Sequence, residues 1–228
     1  MNDAVQHFDE VAEDYDTLIP RHVRDHYLRK RVKVIGRLLD GGVGLDVGCG
    51  TGLLMEALTP YGKVSGVDAS AGMIRVLTEA GRGEALQAPS DSLPFGDGRF
   101  DVVFCVAVLH HVADPARVRK TIHEMVRVAK PSGGRVLIWD HNPRNPYWPI
   151  IMKRVPQDTG RERIIPAAEI ERALSQAGAR EVRTVRSGFV PDFVPRCLMP
   201  IAVLVEAVVE RTPLLRAFCA HNIVIATR

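Results

Sequence analysis

Apolar residues form short runs at positions 44–47, 63–67, 84–88, 101–106 and 135–139, most of them bounded by glycine, proline or acidic residues. Runs of this length read as strands buried in a sheet. A weaker pair lies at 181–186 and 222–226. Between the runs the apolar spacing changes to three and four. Residues 115–130 put Val118, Ile122, Met125 and Ala129 on one side of a helix, which stops at Pro131, Gly133 and Gly134. The other side carries Arg119, Lys120, His123, Arg127 and Lys130, the composition of a solvated face. Residues 166–178 repeat the pattern with Ile170, Leu174 and Ala177 inward and Gly178 as the stop. Ahead of the first strand, residues 1–39 read as two helices broken near Pro20. Strands alternating with helices predict an α/β fold, a mostly parallel sheet with covered faces.

The chain has 228 residues, 46% of them hydrophobic, which is enough for one sizeable domain over 1–228 and too little for two enzyme-sized ones. Residues 1–39 are expected to form an N-terminal helical cap. Two segments exceed a minimal α/β unit and are expected to form an acceptor site or lid: 141–166, with Pro143, Pro146, Pro149 and Pro156, and 188–220. The net charge of +3 comes without a Lys/Arg block, which disfavours a nucleic-acid partner. The acidic first sixteen residues lack the apolar core of a signal peptide. The most apolar stretch, 197–209, is interrupted by Pro200 and Glu206 and falls short of the roughly 18–20 residues of a spanning helix. Cys49, Cys105, Cys197 and Cys219 show neither metal-ligand spacing nor a dense disulfide pattern. A reducing, cytoplasmic setting is expected. So is the absence of a metal, since no Asp/Glu/Asn cluster offers the oxygen ligands of a magnesium site.

The strongest chemical signal is Asp46-x-Gly48-x-Gly50-x-Gly52, which follows a predicted strand and precedes the helical pattern Leu53, Leu54, Ala57, Leu58. Glycine lets the backbone approach a ligand closely, and a glycine turn at a strand's carboxyl end is where α/β sheets bind nucleosides. Asp68 ends the next strand and can accept hydrogen bonds from both hydroxyls of a ribose. The alternative account of Asp68, Ala69 and Ser70 is a helix cap, a role Ser70 can fill alone. The turn lacks the G-x-G-x-x-G of nicotinamide enzymes, with Leu53 where the third glycine belongs, and it lacks the Gly-Lys-Ser/Thr of a P-loop. A nucleoside without a polyphosphate fits best.

Together with Leu93-Pro94-Phe95, Phe100-Asp101-Val102-Val103 and Leu109-His110-His111-Val112, these residues resemble the class I S-adenosylmethionine-dependent methyltransferases. The likeness is to the subgroup of ubiquinone/menaquinone-type and small-molecule enzymes. It covers roughly residues 43–140, with Phe8-Asp9 through Tyr15-Asp16 resembling that subgroup's N-terminal segment. The resemblance implies a Rossmann-like fold with a mostly parallel seven-stranded sheet and helices on both faces, and S-adenosyl-L-methionine as cofactor. It further implies that Asp46 and the turn Gly48, Gly50 and Gly52 hold the adenosyl and methionine parts, Asp68 the ribose, and Ala69 and Met73 the adenine. The family's acid and small residue beside the adenine read Pro89 and Ser90 here, a departure that leaves the carboxylate missing unless Asp91 substitutes. Val106 is expected beside the methionine arm, with Tyr15 closing over the cofactor.

Methyl transfer from a sulfonium is an in-line displacement governed by alignment, and an oxygen or acidic-carbon acceptor gains from a general base. His110, His111 and His141 follow the fourth and fifth strands and are the candidates. Against them stand a packed or helix-start role for His110 and His111 and a turn role for His141. Asp140 adjoins His141, but neighbours in a strand face opposite ways. Cys49 reads as a packing residue. Asn145-Pro146-Tyr147 partly matches the amide-gripping tetrapeptide of adenine and glutamine methyltransferases, but it follows the fifth strand instead of the fourth. The expected acceptor is a small or medium apolar metabolite, roofed by Tyr147, Trp148, Phe189, Phe193, Leu198, Ile201, Val205 and Phe218. For 197–209 the alternatives are a homodimer interface or a peripheral membrane contact serving a lipid or polyprenyl acceptor. From another class, a non-catalytic nucleoside-binding module also fits the turn and Asp68.

Overall fold

The computed structural model describes residues 3–148, 160 and 162–228. Among these, β1 (Val43–Val47), β2 (Lys63–Asp68), β3 (Glu84–Gln87), β4 (Val102–Val106), β5 (Arg135–His141), β6 (Arg180–Ser187) and β7 (His221–Thr227) form one seven-stranded sheet. Its order is β3-β2-β1-β4-β5-β7-β6. All pairings are parallel except those of β7, which runs antiparallel to both β5 and β6. Every predicted strand is present, within two residues of its expected ends. The N-terminal part folds as α1 (Asp3–Val11), a 3-10 turn at Tyr15–Thr17 and α2 (Arg21–Leu39), with the break at Pro20.

The remaining helices are α3 (Leu53–Leu58), α4 (Ala71–Glu79), α5 (Leu109–Val112), α6 (Pro115–Val128), α7 (Ala167–Gln176) and α8 (Met199–Arg211). Pro115 sits in the first turn of α6, where a missing N–H costs nothing, and the Asp114 carboxylate accepts the N–H groups of Ala116 and Arg117. The inward row Val118, Ile122 and Met125 is fully buried, each side chain contributing roughly 1.5–3 kcal/mol. On the outer side, Arg127 reaches Glu124 and Asp97, and Lys130 reaches Asp101.

The two sheet faces separate by the parity of the strand residues. Val103, Cys105, Val136 and Ile138 pack with α6 and α7, whereas Val102, Phe104, Leu137 and Trp139 pack with Ile35 and Leu39 of α2. The parity decides the site: Asp140 lies on the α6 side of β5 and His141 on the α2 side. No helix among the described residues is long and apolar enough to cross a membrane.

Candidate active site

The strand order reverses between β1 and its neighbours β2 and β4, so a crevice opens at their carboxyl ends. The glycine turn fills its floor. The N–H groups of Gly48 and Cys49 both donate to the carbonyl of Val67, at 2.7 and 3.0 Å, which ties the turn to β2. Gly48 has φ +79°, and a Cβ there would lie 2.4 Å from Val108. At Gly50, φ +53°, a Cβ would project into open space, the cradle a nucleoside would occupy.

Asp68 is held by the backbone on both sides. Its Oδ2 accepts the Gly50 N–H and its Oδ1 the Ser70 N–H, each at 2.9 Å. Burial raises its carboxyl above the ordinary range, while those N–H bonds pull the other way. Ser70 caps α4 by accepting the Met73 N–H, so the helix cap does not use the Asp68 carboxylate. The N-terminal segment is fastened over this turn by two acids. Asp9 accepts the Ser70 hydroxyl at 2.6 Å and the Gly72 N–H at 2.9 Å. Asp16 accepts the Thr51 hydroxyl at 2.6 Å and pairs with Arg82 at 2.7 Å.

The crevice has two lobes that share Tyr15, Gly48, Gly50, Val106, Ala107 and His111. The first lobe is lined by Asp68, Ala69, Met73, Pro89 and Ser90, with Phe8 from α1 edge-on to His111 at 4.9 Å. Asp91 does not replace the missing acid: its carboxylate pairs with Arg117 at 3.0 Å. Ala107 holds φ +59°, a conformation unfavourable for a residue with a Cβ, at the junction of the lobes.

The second lobe is polar. Asp46 lines it, and burial together with the neighbouring Asp68 pushes its carboxyl up to about 8 against the pull of Arg31. Arg31, from α2, reaches the same lobe, and its buried Nε has no hydrogen-bond partner among the described residues. Across from them stand His110, His141 and His221. His110 Nδ1 lies 2.6 Å from Asp140 Oδ1, and both side chains are almost fully buried. Burial works to raise Asp140, but His110 and the backbone N–H of His141 outweigh it, and its carboxyl sits below the ordinary range. His141 stacks on Trp148, ring centroids 3.8 Å apart, and its Nδ1 has no partner among the described residues. Burial holds His141 well below its ordinary value, His221 at about 3 and His111 at about 4, so these three rings are neutral near pH 7. Asp192, from the loop after β6, completes the wall; burial pushes it up to about 6.

Several expectations require correction. Asp140 pairs with His110, a partnership the expectations did not include, and it faces away from His141 as the strand alternation required. Gly52 lies outside both lobes; a Cβ there would meet Leu77 at 2.7 Å, so it serves packing of the turn against α4. The apolar roof is absent from the described residues: of its proposed members only Trp148 lines the crevice, while Phe193 is 69% and Ile201 61% exposed, and Leu198, Val205 and Phe218 are also exposed. Asn145 is a clasp, donating to the Phe218 carbonyl, and Asn142 donates to those of Ala217 and Cys219. Burial pushes the Cys49 thiol far up, consistent with a packing role. Pro149 and Pro156, with the rest of 149–159 and residue 161, lie outside the described residues. Sequence reasoning missed Arg31, Tyr27, Asp192 and His221 on the crevice wall.

A doubly wound sheet with a crevice at its switch point and the Asp68 carboxylate on its wall defines a Rossmann-like fold. Residues 45–138 match the family model described as a methyltransferase domain. The chain is 36% identical over 126 residues to the tRNA (carboxymethyluridine(34)-5-O)-methyltransferase of Arabidopsis thaliana, covering 54% of this chain and 30% of that one. It is 40% identical over 105 residues to the ubiquinone biosynthesis O-methyltransferase of Methylococcus capsulatus, 42% of each chain. It is 34% identical over 154 residues to the demethylmenaquinone methyltransferase of Lactococcus lactis, covering 62% of this chain and 60% of that one. The chain therefore spans less than two thirds of each of these relatives. A methyltransferase structure from Thermotoga maritima aligns over 98% of this chain and 99% of that one, with TM-score 0.75 and 18% identity. Magnesium protoporphyrin IX methyltransferase of Synechocystis, solved with S-adenosylmethionine, aligns over 90% and 81%, with TM-score 0.57 and 19% identity. Residues 45–138 thus resemble a methyltransferase domain, carried on a fold shared with solved S-adenosylmethionine-dependent methyltransferase structures.

Proposed function

We propose that the protein transfers a methyl group from S-adenosylmethionine to a hydroxyl oxygen of a small acceptor bound in the second lobe. The observation that carries this reading is the Asp140–His110 pair, whose histidine lines that lobe. When bound, the cofactor supplies an electrophilic methyl on a positively charged sulfur. Asp68 accepts from the ribose hydroxyls, and Ser90, Pro89 and Met73 enclose the adenine. Arg31 receives the methionine carboxylate, and Asp46 faces the ammonium. Asp140, accepting from Nδ1, fixes the His110 tautomer with its lone pair on Nε2, and that nitrogen takes the proton from the acceptor hydroxyl. His111, neutral and edge-on to Phe8, couples α1 to the crevice. The ubiquinone relative is named as an O-methyltransferase, which agrees with an oxygen acceptor.

The test uses methyl-labelled cofactor with extract and a panel of hydroxylated metabolites to find the acceptor. On that acceptor Asp140→Asn should lower turnover by roughly 10²–10⁴-fold, the range for a misoriented histidine base. Affinity for S-adenosylhomocysteine should not change. Parent-like turnover in Asp140→Asn would refute the base assignment.

A further inference from the structure

The segment between β6 and β7 contains three acids, Asp192, Glu206 and Glu210, and all three are engaged on the protein side. Asp192 lines the crevice. Glu206 is buried, accepting from His26, Lys30 and the N–H groups of Phe189 and Val190. Glu210 accepts from Lys30, Ser187 and the Gly188 N–H. The outward side is the reverse. Ile201, Leu204, Val205 and Val208 recur at helical spacing on one face of α8 and are all exposed, Leu204 by 66%. Leu214 and Leu215, just beyond α8, are exposed as well, Leu214 by 83%. The charged residues exposed here are Arg196, Arg211 and Arg216.

From this we infer that the outer face of α8 and its flanks is a docking surface for an anionic lipid bilayer. A patch this large on a soluble fold marks an interaction site. Its charge selects the occupant. A two-fold contact between copies brings the same patch onto itself, so arginine would meet arginine with no outward acid in the segment to pair. An anionic lipid surface offers a partner to all three arginines and an apolar layer to the leucines, isoleucine and valines between them. The helix is tied by Glu206 to the loop that carries Asp192, so docking would hold the second lobe next to the bilayer. The inference rests on exposure and charge and is independent of the proposed acceptor chemistry.

The full chain is sedimented with phosphatidylcholine vesicles and with phosphatidylcholine–phosphatidylglycerol vesicles. Co-sedimentation is expected with the anionic vesicles only, weakening as salt rises. Joint substitution of Arg196, Arg211 and Arg216 by Gln should weaken it on the order of five-fold per arginine. Ile201→Glu with Leu204→Glu should abolish it. These positions are exposed, so both variants should keep the parent melting temperature and the parent thermal shift with S-adenosylhomocysteine. Absence of the parent from the anionic pellet, or equal recovery with both vesicle types, would overturn the proposal. A parent dimer in light scattering that Leu204→Glu dissolves would also overturn it and assign the face to self-association.

Discussion

Replacing Asp46 by Asn should stabilise the apoprotein, by an amount that grows with pH. Asp46 is 2% exposed, and burial, Asp68 and Arg31 together set its carboxyl at about 8 in the folded chain. Unfolded, it titrates near the ordinary aspartate value of 3.8. A folded pKa above the unfolded one means that the unfolded chain loses the proton first as pH rises. The Asp46 contribution is therefore fully present below about pH 4 and is lost progressively up to about pH 8. At about 1.4 kcal/mol per unit, the loss reaches roughly 4 kcal/mol at pH 7 and levels off above pH 8. His111 and His221 have folded values depressed to about 4 and 3, so they act in the opposite direction below their ordinary value of 6.5. The difference between parent and Asp46→Asn removes that background. Urea unfolding at pH 5, 6, 7, 8 and 9 should show the advantage of the variant rising by about 1.4 kcal/mol per unit to pH 7 and flattening beyond 8. The same variant should bind S-adenosylmethionine more weakly, because a cation beside Asp46 favours the carboxylate that Asn cannot form. A stability difference constant from pH 5 to 8 would refute a buried, protonated Asp46.

Arg31→Gln should lower affinity for S-adenosylhomocysteine about ten-fold or more while leaving 5′-methylthioadenosine unaffected, since only the first carries the carboxylate assigned to Arg31. Equal losses for both ligands in calorimetry would remove that assignment. Among the described residues no group of three or more His, Cys, Asp or Glu is placed to hold a metal ion. Turnover should accordingly survive chelator, and loss restored by magnesium would show this expectation wrong.

The sheet was legible because its central parallel strands β1, β4 and β5 are buried on both faces and read as short apolar runs spaced by helical patterns. The first lobe was legible because Gly48 and Gly50, in the turn after β1, and Asp68, at the end of the neighbouring β2, lie close in the chain. The second lobe was not. Arg31, Asp192 and His221 come from α2, a loop and β7, far apart in sequence, and a lone arginine on a basic helix carries no motif. The Asp140–His110 pair had a signal: β4 and β5 are parallel with Val106 opposite Trp139, so residues just beyond these ends must meet. The outward turn of 193–218 was hidden because an apolar helix looks alike as roof or as outer face. Glu206 was the clue, since its partners His26 and Lys30 lie on α2, and they set which side of α8 faces in.

Calorimetric titration of the folded chain with S-adenosylhomocysteine, beside the Asp68→Ala variant, tests the cofactor site most directly. The parent should bind saturably at one site. The variant should remain folded but melt below the parent, because the Gly50 and Ser70 N–H groups lose their acceptor, and it should bind more weakly by roughly 1.5–3 kcal/mol, the range for hydrogen bonds to a charged group. NAD should not bind to either. Binding of NAD without either sulfur nucleoside, or unchanged affinity in a folded Asp68→Ala protein, would contradict the account.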